Sequence, residues 1–275
     1  MSEEIKICID RILPQDMHEK ARKNAISENP ENDINITKLK STDLPEEIAI
    51  LTAKKWDNSR TLRVRFLDGT PDVQAKVEKY AHEWEEYVDI KFVFGNDPDA
   101  EIRISFQHDK GSWSYIGTDC LSIDKTEPTM NFGWLKSNTA DDEYSRVVLH
   151  EFGHALGCIH EHQNPTANIP WNKEAVYGLY MGPPNNWSKE EIDNNIFRRY
   201  SNTETNFSAF DKNSIMLYAI PSSLTTNGFE VGWNRILSDM DKKFMSELYP
   251  KANDNFKGTS NNKERAATLI NSEMD

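Results

Sequence analysis

The sequence predicts an α+β fold in which a twisted sheet backed by helices is followed by an irregular second half. Three observations carry this reading. Leu62, Val64 and Phe66 alternate with Arg63 and Arg65, and Ile102, Ile104 and Phe106 alternate again, the period of half-buried strands. Between them Val73, Val77, Tyr80, Ala81, Trp84, Tyr87 and Val88 recur at helical spacing and form one apolar stripe. Beyond residue 160, Pro165, Pro170, Pro183 and Pro184 break the pattern into loops.

Residues 1–55 read as an N-terminal extension. Pro14 opens a helix running to about Ser27, residues 28–35 are polar and loop-like, and Asp43 with Glu46 resembles a capping box for a short helix through Lys55. The main domain, residues 56–250, begins with the strand ending at the turn Asp68-Gly69 and continues with the helical stripe. Short strands follow at 90–94 and 102–106. The segment Gly111–Gly117, rich in Gly, Ser and aromatics, reads as edge structure or a loop, and a long helix spans 144–157. Farther on, one helix follows Asn172 to about Tyr180. A second is capped by Ser188 with Glu191 and buries Ile192, Ile196, Phe197 and Tyr200. A last one starts at Ser238 and stops at Pro250. Residues 251–275 form a polar tail.

With 275 residues, 37% of them apolar, the chain can bury one large domain or two subdomains that share a cleft. No run approaches the roughly 18 to 20 apolar residues that cross a bilayer. Met1–Lys6 lacks a basic stretch leading into an apolar one, so no secretory signal is read, and a cytoplasmic site or a non-classical export route is expected. Lys and Arg number 32 against 45 Asp and Glu, a net charge of −13. Such a surface repels a phosphate backbone, and no basic run offsets it, which argues against nucleic acid as a partner. Three cysteines, Cys8, Cys120 and Cys158, are too few and odd in number for a disulfide framework.

The chemistry concentrates in residues 150–160. Four of the seven histidines lie between 150 and 162. His150 and His154 are one helical turn apart on one face, placed to offer two imidazoles to one ion. Glu151 is displaced around the helix, within reach of water at that ion without being a ligand, as a general base must be. His160 lies six residues past His154, too far round for one straight helix. Gly157 resolves this, because glycine adopts a positive φ at low cost and can turn the chain back. Three histidines leave the fourth position of a catalytic zinc open.

This segment resembles the long zinc-binding motif of the metzincin endopeptidases, and its continuation His160-Glu161-His162 is most similar to the astacin branch. Downstream, Ser214-Ile215-Met216-Leu217-Tyr218 resembles the Met-turn of that group, which sets a methionine beneath the metal histidines. The resemblance covers roughly residues 56–250. It implies a two-subdomain fold divided at about 160/161, with sheet and helices above a cleft and an irregular lower part carrying the Met-turn and a C-terminal helix. It implies one catalytic Zn2+ on His150, His154 and His160, and a protein or peptide substrate. Tyr218 stands where astacins have a tyrosine that can ligate zinc and then stabilise the transition state. Gly111–Gly117 is similar to the astacin segment that forms the substrate-binding edge. Glu161 stands where astacins receive the mature N-terminus. Two features depart from the pattern: the cysteines cannot supply the two disulfides usual in astacins, and Leu217 replaces a frequent histidine. A divergent, bacterial-type relative without covalent staples is the expectation.

The expected activity is zinc-dependent hydrolysis of peptide bonds with Glu151 as base. A non-catalytic zinc-stabilised binding domain, or a protease exported as an effector or toxin, are the alternatives. Intact Glu151 speaks against the first, since a structural site needs no base. Metzincin precursors often place a cysteine or aspartate on zinc, and Cys8 and Asp10 are the candidates for such a latency switch in the extension.

Overall fold

A computed structural model describes residues 8–9, 11–33, 50–51, 53–108, 110–183, 185–200, 205–206 and 209–252. Asp10 and residues 43–49, which begin the helix expected through Lys55, lie outside the described residues. The described end of that stretch is not helical. Ile50–Leu51 is a strand (β1) paired antiparallel with Thr205–Asn206 (β7). The partner lies far along the chain, beyond the reach of local pattern reading.

The central sheet contains β2 (Thr61–Phe66), β3 (Lys91–Phe94), β4 (Ile102–Ser105), β5 (Trp113–Ser114) and β6 (Met130–Asn131), in the order β3-β2-β4-β6-β5. The first four are parallel neighbours and β5 closes the edge antiparallel to β6. A parallel pair needs a crossover, and the predicted apolar stripe supplies it between β2 and β3 as α2 (Pro71–Ala81) and a 3₁₀ turn (His82–Glu86). Before the sheet lies α1 (His18–Glu28). After it come α3 (Asp141–Ala155), α4 (Lys173–Tyr180), α5 (Lys189–Ile192), which runs into a π-turn (Asp193–Phe197), and α6 (Asp239–Leu248). The observed architecture is that of the expected α+β, two-subdomain domain.

The main core lies where α2 and α3 meet the sheet. Trp84 donates its indole N–H to Leu149 O at 3.0 Å, and the Phe92 and Phe152 rings meet edge-on at 5.0 Å. The first turn of α3 carries Asp141, Asp142 and Glu143, which suit the positive end of the helix dipole. At its other end the carbonyls of Ala155 and Leu156 would lack helical partners. Trp56 Nε1 donates to the first at 2.7 Å and Tyr249 Oη to the second at 2.8 Å. Both aromatics are fully buried, so the helix that carries the histidines is fixed at its C-terminal end.

Cys8, Cys120 and Cys158 are all buried and none forms a disulfide. Arg103, fully buried on β4, does part of the stapling instead. Its guanidinium donates to the carbonyls of Ala100, Glu127 and Asp124 at 2.7–3.0 Å, binding the 123–127 loop to the sheet.

Candidate metal centre and cleft

The α3 helix ends as the sequence requires. Gly157 takes φ +106°, its N–H donates to His154 O at 2.8 Å, and the Cys158 N–H donates to Gly153 O at 3.0 Å. This pair of bonds is a Schellman cap, open to glycine because of the left-handed conformation. The chain reverses there and brings His160 back to the helix. His160 Nε2 lies 3.1 Å from His150 Nε2 and 3.1 Å from His154 Nε2.

The tautomers follow from the outer nitrogens. His150 Nδ1 donates to Ile215 O at 2.8 Å and His154 Nδ1 to Cys158 O at 2.8 Å, so each Nε2 turns a lone pair inward. Burial, and then the neighbouring imidazoles, push the His150 and His160 pKa values well below the ordinary histidine range. Converging neutral nitrogens at this separation have no proton to share and fit a zinc ion.

Glu151, buried one residue after His150, meets this cluster from the side. The Cys8 thiol donates to its Oε2 at 3.2 Å. Ligand atoms of Cys8, His150, His154 and His160 all lie within 4.8 Å of one another. Of the two extension residues singled out in the sequence, Cys8 is therefore brought to the centre. Cys158 lies elsewhere, in the main core with its thiol 3.5 Å from Met245 Sδ.

Tyr218 stands over the same group. Its ring centroid is 4.3 Å from that of His160, its hydroxyl lies 3.4 Å from His160 Nδ1, and it donates to Cys8 O at 2.6 Å. Residues 214–217 form a turn closed by Leu217 N–H to Ser214 O at 3.1 Å. The Asp241 carboxylate holds that turn, accepting from Ser214 Oγ at 2.7 Å and Ile215 N at 2.8 Å. Met216 is buried with its sulfur against Gly153, on the helix between the two metal-facing histidines. Glu161 is fully buried and accepts from Asp211 N at 2.8 Å; burial and the nearby Asp241 push its carboxyl up to about 8.

The family-model comparison matches residues 49–249 to the astacin peptidase family. The chain belongs to the astacin family. Two solved structures of myroilysin are similar to this astacin chain. One is 52% identical with a TM-score of 0.73, covering 74% of this chain and 98% of the other. The second is 44% identical with a TM-score of 0.62, covering 90% and 93%. The fold also matches high choriolytic enzyme 1, a hatching-enzyme zinc protease of the medaka Oryzias latipes. That match is 18% identical with a TM-score of 0.50 and covers 72% of this chain and 95% of that one. No curated protein sequence matches significantly. As an astacin, the chain is a zinc metalloendopeptidase with one catalytic zinc and a protein or peptide substrate. No helix among the described residues is long and apolar enough to cross a membrane.

Pattern reading missed several residues at this site. A cavity of about 10 Å³, room for a single water, lies between Cys8, Glu151, Trp134, Arg146, Leu217 and Trp233. Arg146 lines it one turn before His150, stacked on Trp233 at 4.2 Å and paired with Glu143 at 2.6 Å. Helical periodicity gives Gly153 no role, although a glycine inside a helix costs about 1 kcal/mol and so usually has a packing reason.

Proposed function

We propose that Glu151 is the general base of peptide-bond hydrolysis and that residues 8–33 form a covering segment whose Cys8 keeps the site shut. The observation that carries both readings is the Cys8 thiol, set among the three imidazoles and hydrogen-bonded to Glu151. His150, His154 and His160 would hold the zinc. When bound, zinc supplies Lewis acidity, polarising a peptide carbonyl and making adjacent water a stronger acid.

The residues of this chain supply the rest. The backbone carbonyls of Ile215 and Cys158 keep two imidazoles in the tautomer that faces the ion. Glu151 takes a proton from the attacking water and returns it to the leaving amine. The Tyr218 hydroxyl donates to the developing oxyanion once Cys8 O no longer accepts from it.

Latency is supported at three points. The thiol lies among the three imidazoles, where it would be a fourth ligand to a bound ion, it donates to the Glu151 carboxylate, and the cavity left beside it is too small for a peptide. Beyond Cys8 the segment is also anchored by its later residues. Lys20 Nζ donates to Ser122 O at 2.9 Å, the buried Asn29 donates to Trp56 O at 3.0 Å, and the buried Asn32 donates to Lys55 O at 2.7 Å.

Turnover of an unstructured protein by Glu151→Gln in the Cys8→Ser background, with zinc content measured on the same preparation, tests the base. The expected outcome is one zinc per chain and activity lower by about 10² to 10⁴. Undiminished turnover would overturn the assignment.

A further inference from the structure

The covering segment does more than bring a thiol to the centre. It lies along the sheet edge like an added strand. Cys8 bridges Ser112 and Arg11 bridges Tyr115, both in parallel sense, and Ile9 N–H donates to Ser112 O at 3.0 Å. In this register the Arg11 guanidinium lies over the face of the Trp113 indole, 4.2 Å from the ring centroid. Tyr115 meets the same indole edge-on at 5.8 Å.

We propose that Trp113 and Tyr115 form a substrate subsite that selects a basic side chain near the cleaved bond, with Arg11 occupying it until the segment leaves. The proposal rests on the reading that residues 8–33 cover the cleft, and it names the substrate class for that cleft. Arg11 is itself exposed while Trp113 beneath it is 4% exposed, so the cation is the outer layer of the stack. The guanidinium sits over the ring and not at its edge, so the π face is what Trp113 presents to an occupant. A π face attracts Arg or Lys and gives a carboxylate nothing. The local field has the same sign. Burial first, and then Asp119 and Glu127 against the opposing Arg11, raise the Tyr115 phenol pKa, and the chain as a whole carries a charge of −13.

Strand direction does not weaken the argument. Alternate residues of an added strand face the same side whether it runs parallel or antiparallel, so a substrate on this edge also presents a side chain to Trp113. Ser112 and Ser114 alternate with Trp113 and Tyr115 along this edge and fall on its opposite face.

Two measurements decide the matter. In the first, the zinc-loaded full chain carrying Cys8→Ser and Arg11→Ala digests an unstructured protein, and every cleaved bond is mapped by mass spectrometry. Arg and Lys should be enriched about two- to fivefold at one fixed position within a few residues of the cut, the discrimination expected of an exposed cation–π contact. Adding Trp113→Leu should abolish the enrichment, and Trp113→Phe should reduce it while keeping an aromatic core. Cleavage with no such enrichment overturns the subsite.

The second measurement needs no turnover. The rate at which a small thiol reagent modifies Cys8 in the full chain reports how firmly the segment is held. Arg11→Lys should keep the wild-type rate, while Arg11→Gln and Arg11→Ala should react about two- to fivefold faster. Equal rates for Arg11→Lys and Arg11→Gln overturn the subsite even if the first chain cuts nothing. A chain that cuts nothing counts against the proposed release by Cys8→Ser, and the thiol series still decides the aromatic site.

Discussion

The sulfur of Met216 fills the space that a β-carbon on Gly153 would need. Helix α3 and the 214–217 turn therefore approach closely at the level of the metal-facing imidazoles. Neither partner can easily retreat, because Met216 is 1% exposed and Trp84 packs against the same glycine. Gly153→Ala should gain about 1 kcal/mol of helix propensity and lose more, about 1–3 kcal/mol, to overpacking. A net fall in stability by chemical denaturation, with weaker zinc retention, is the expected outcome. Gly153→Ala combined with Met216→Ala should be less damaging than the two single effects added together. Simple additivity would show that the contact does not couple the two elements.

Cys8→Ser should make the full-length chain active without removal of the segment, because a hydroxyl is a poor zinc ligand beside three imidazoles. We expect a rise in kcat/KM of about tenfold or more, the equivalent of about 1.4 kcal/mol of lost blockade. The same activity in Cys8→Ser and wild type would remove Cys8 from any role in latency.

Tyr218→Phe separates two effects of one hydroxyl. In the full chain it should loosen the segment, since the bond to Cys8 O at 2.6 Å is lost. In the Cys8→Ser background it should lower kcat by about ten- to a hundredfold with KM nearly unchanged, as expected for a donor used only in the transition state. A change confined to KM would make Tyr218 a binding residue.

Asp241 links the turn below the metal to the C-terminal helix. It accepts from Ser214 Oγ, from Ile215 N and, across the capping box of α6, from Ser238 N at 2.9 Å. Asp241→Ala leaves the buried Ser214 and Ile215 donors without that acceptor and should cost about 2–4 kcal/mol. Asp241→Asn, which keeps one acceptor oxygen, should cost less. Calorimetric unfolding of the two variants checks the order.

Arg103 binds the 123–127 loop to the sheet in a chain whose described cysteines form no disulfide. Its side chain satisfies several carbonyls of the 100–127 region, and Arg103→Met should destabilise the fold by about 3 kcal/mol or more by leaving them unpaired in the interior. Denaturation of Arg103→Met beside Arg103→Lys tests this, with Lys expected to recover only part of the loss.

What the sequence made legible was local. His150, Glu151 and His154 follow from helical spacing, and Gly157 with His160 from the need to reverse the chain. The Ser188 capping box stands where its residues predict it. Position across long separations was not legible in the same way. Nothing in the neighbourhood of Cys8 says that its thiol meets Glu151, 143 residues away. Gly153 shows its purpose only when Met216 is laid against it. The two-residue strands Met130–Asn131 and Ile50–Leu51 are too short to show alternation, and they exist because longer strands or distant partners hold them. Trp113 could be read as edge structure, but the cation above it could not.

The most direct test of the account is the ligand set of zinc in the intact chain, read by X-ray absorption at the zinc edge. The account predicts three nitrogen ligands and one sulfur in the full-length protein. The sulfur should be absent from Cys8→Ser and from the chain freed of its covering segment. A site of nitrogen and oxygen ligands alone in the full-length protein would contradict the claim that Cys8 closes the centre.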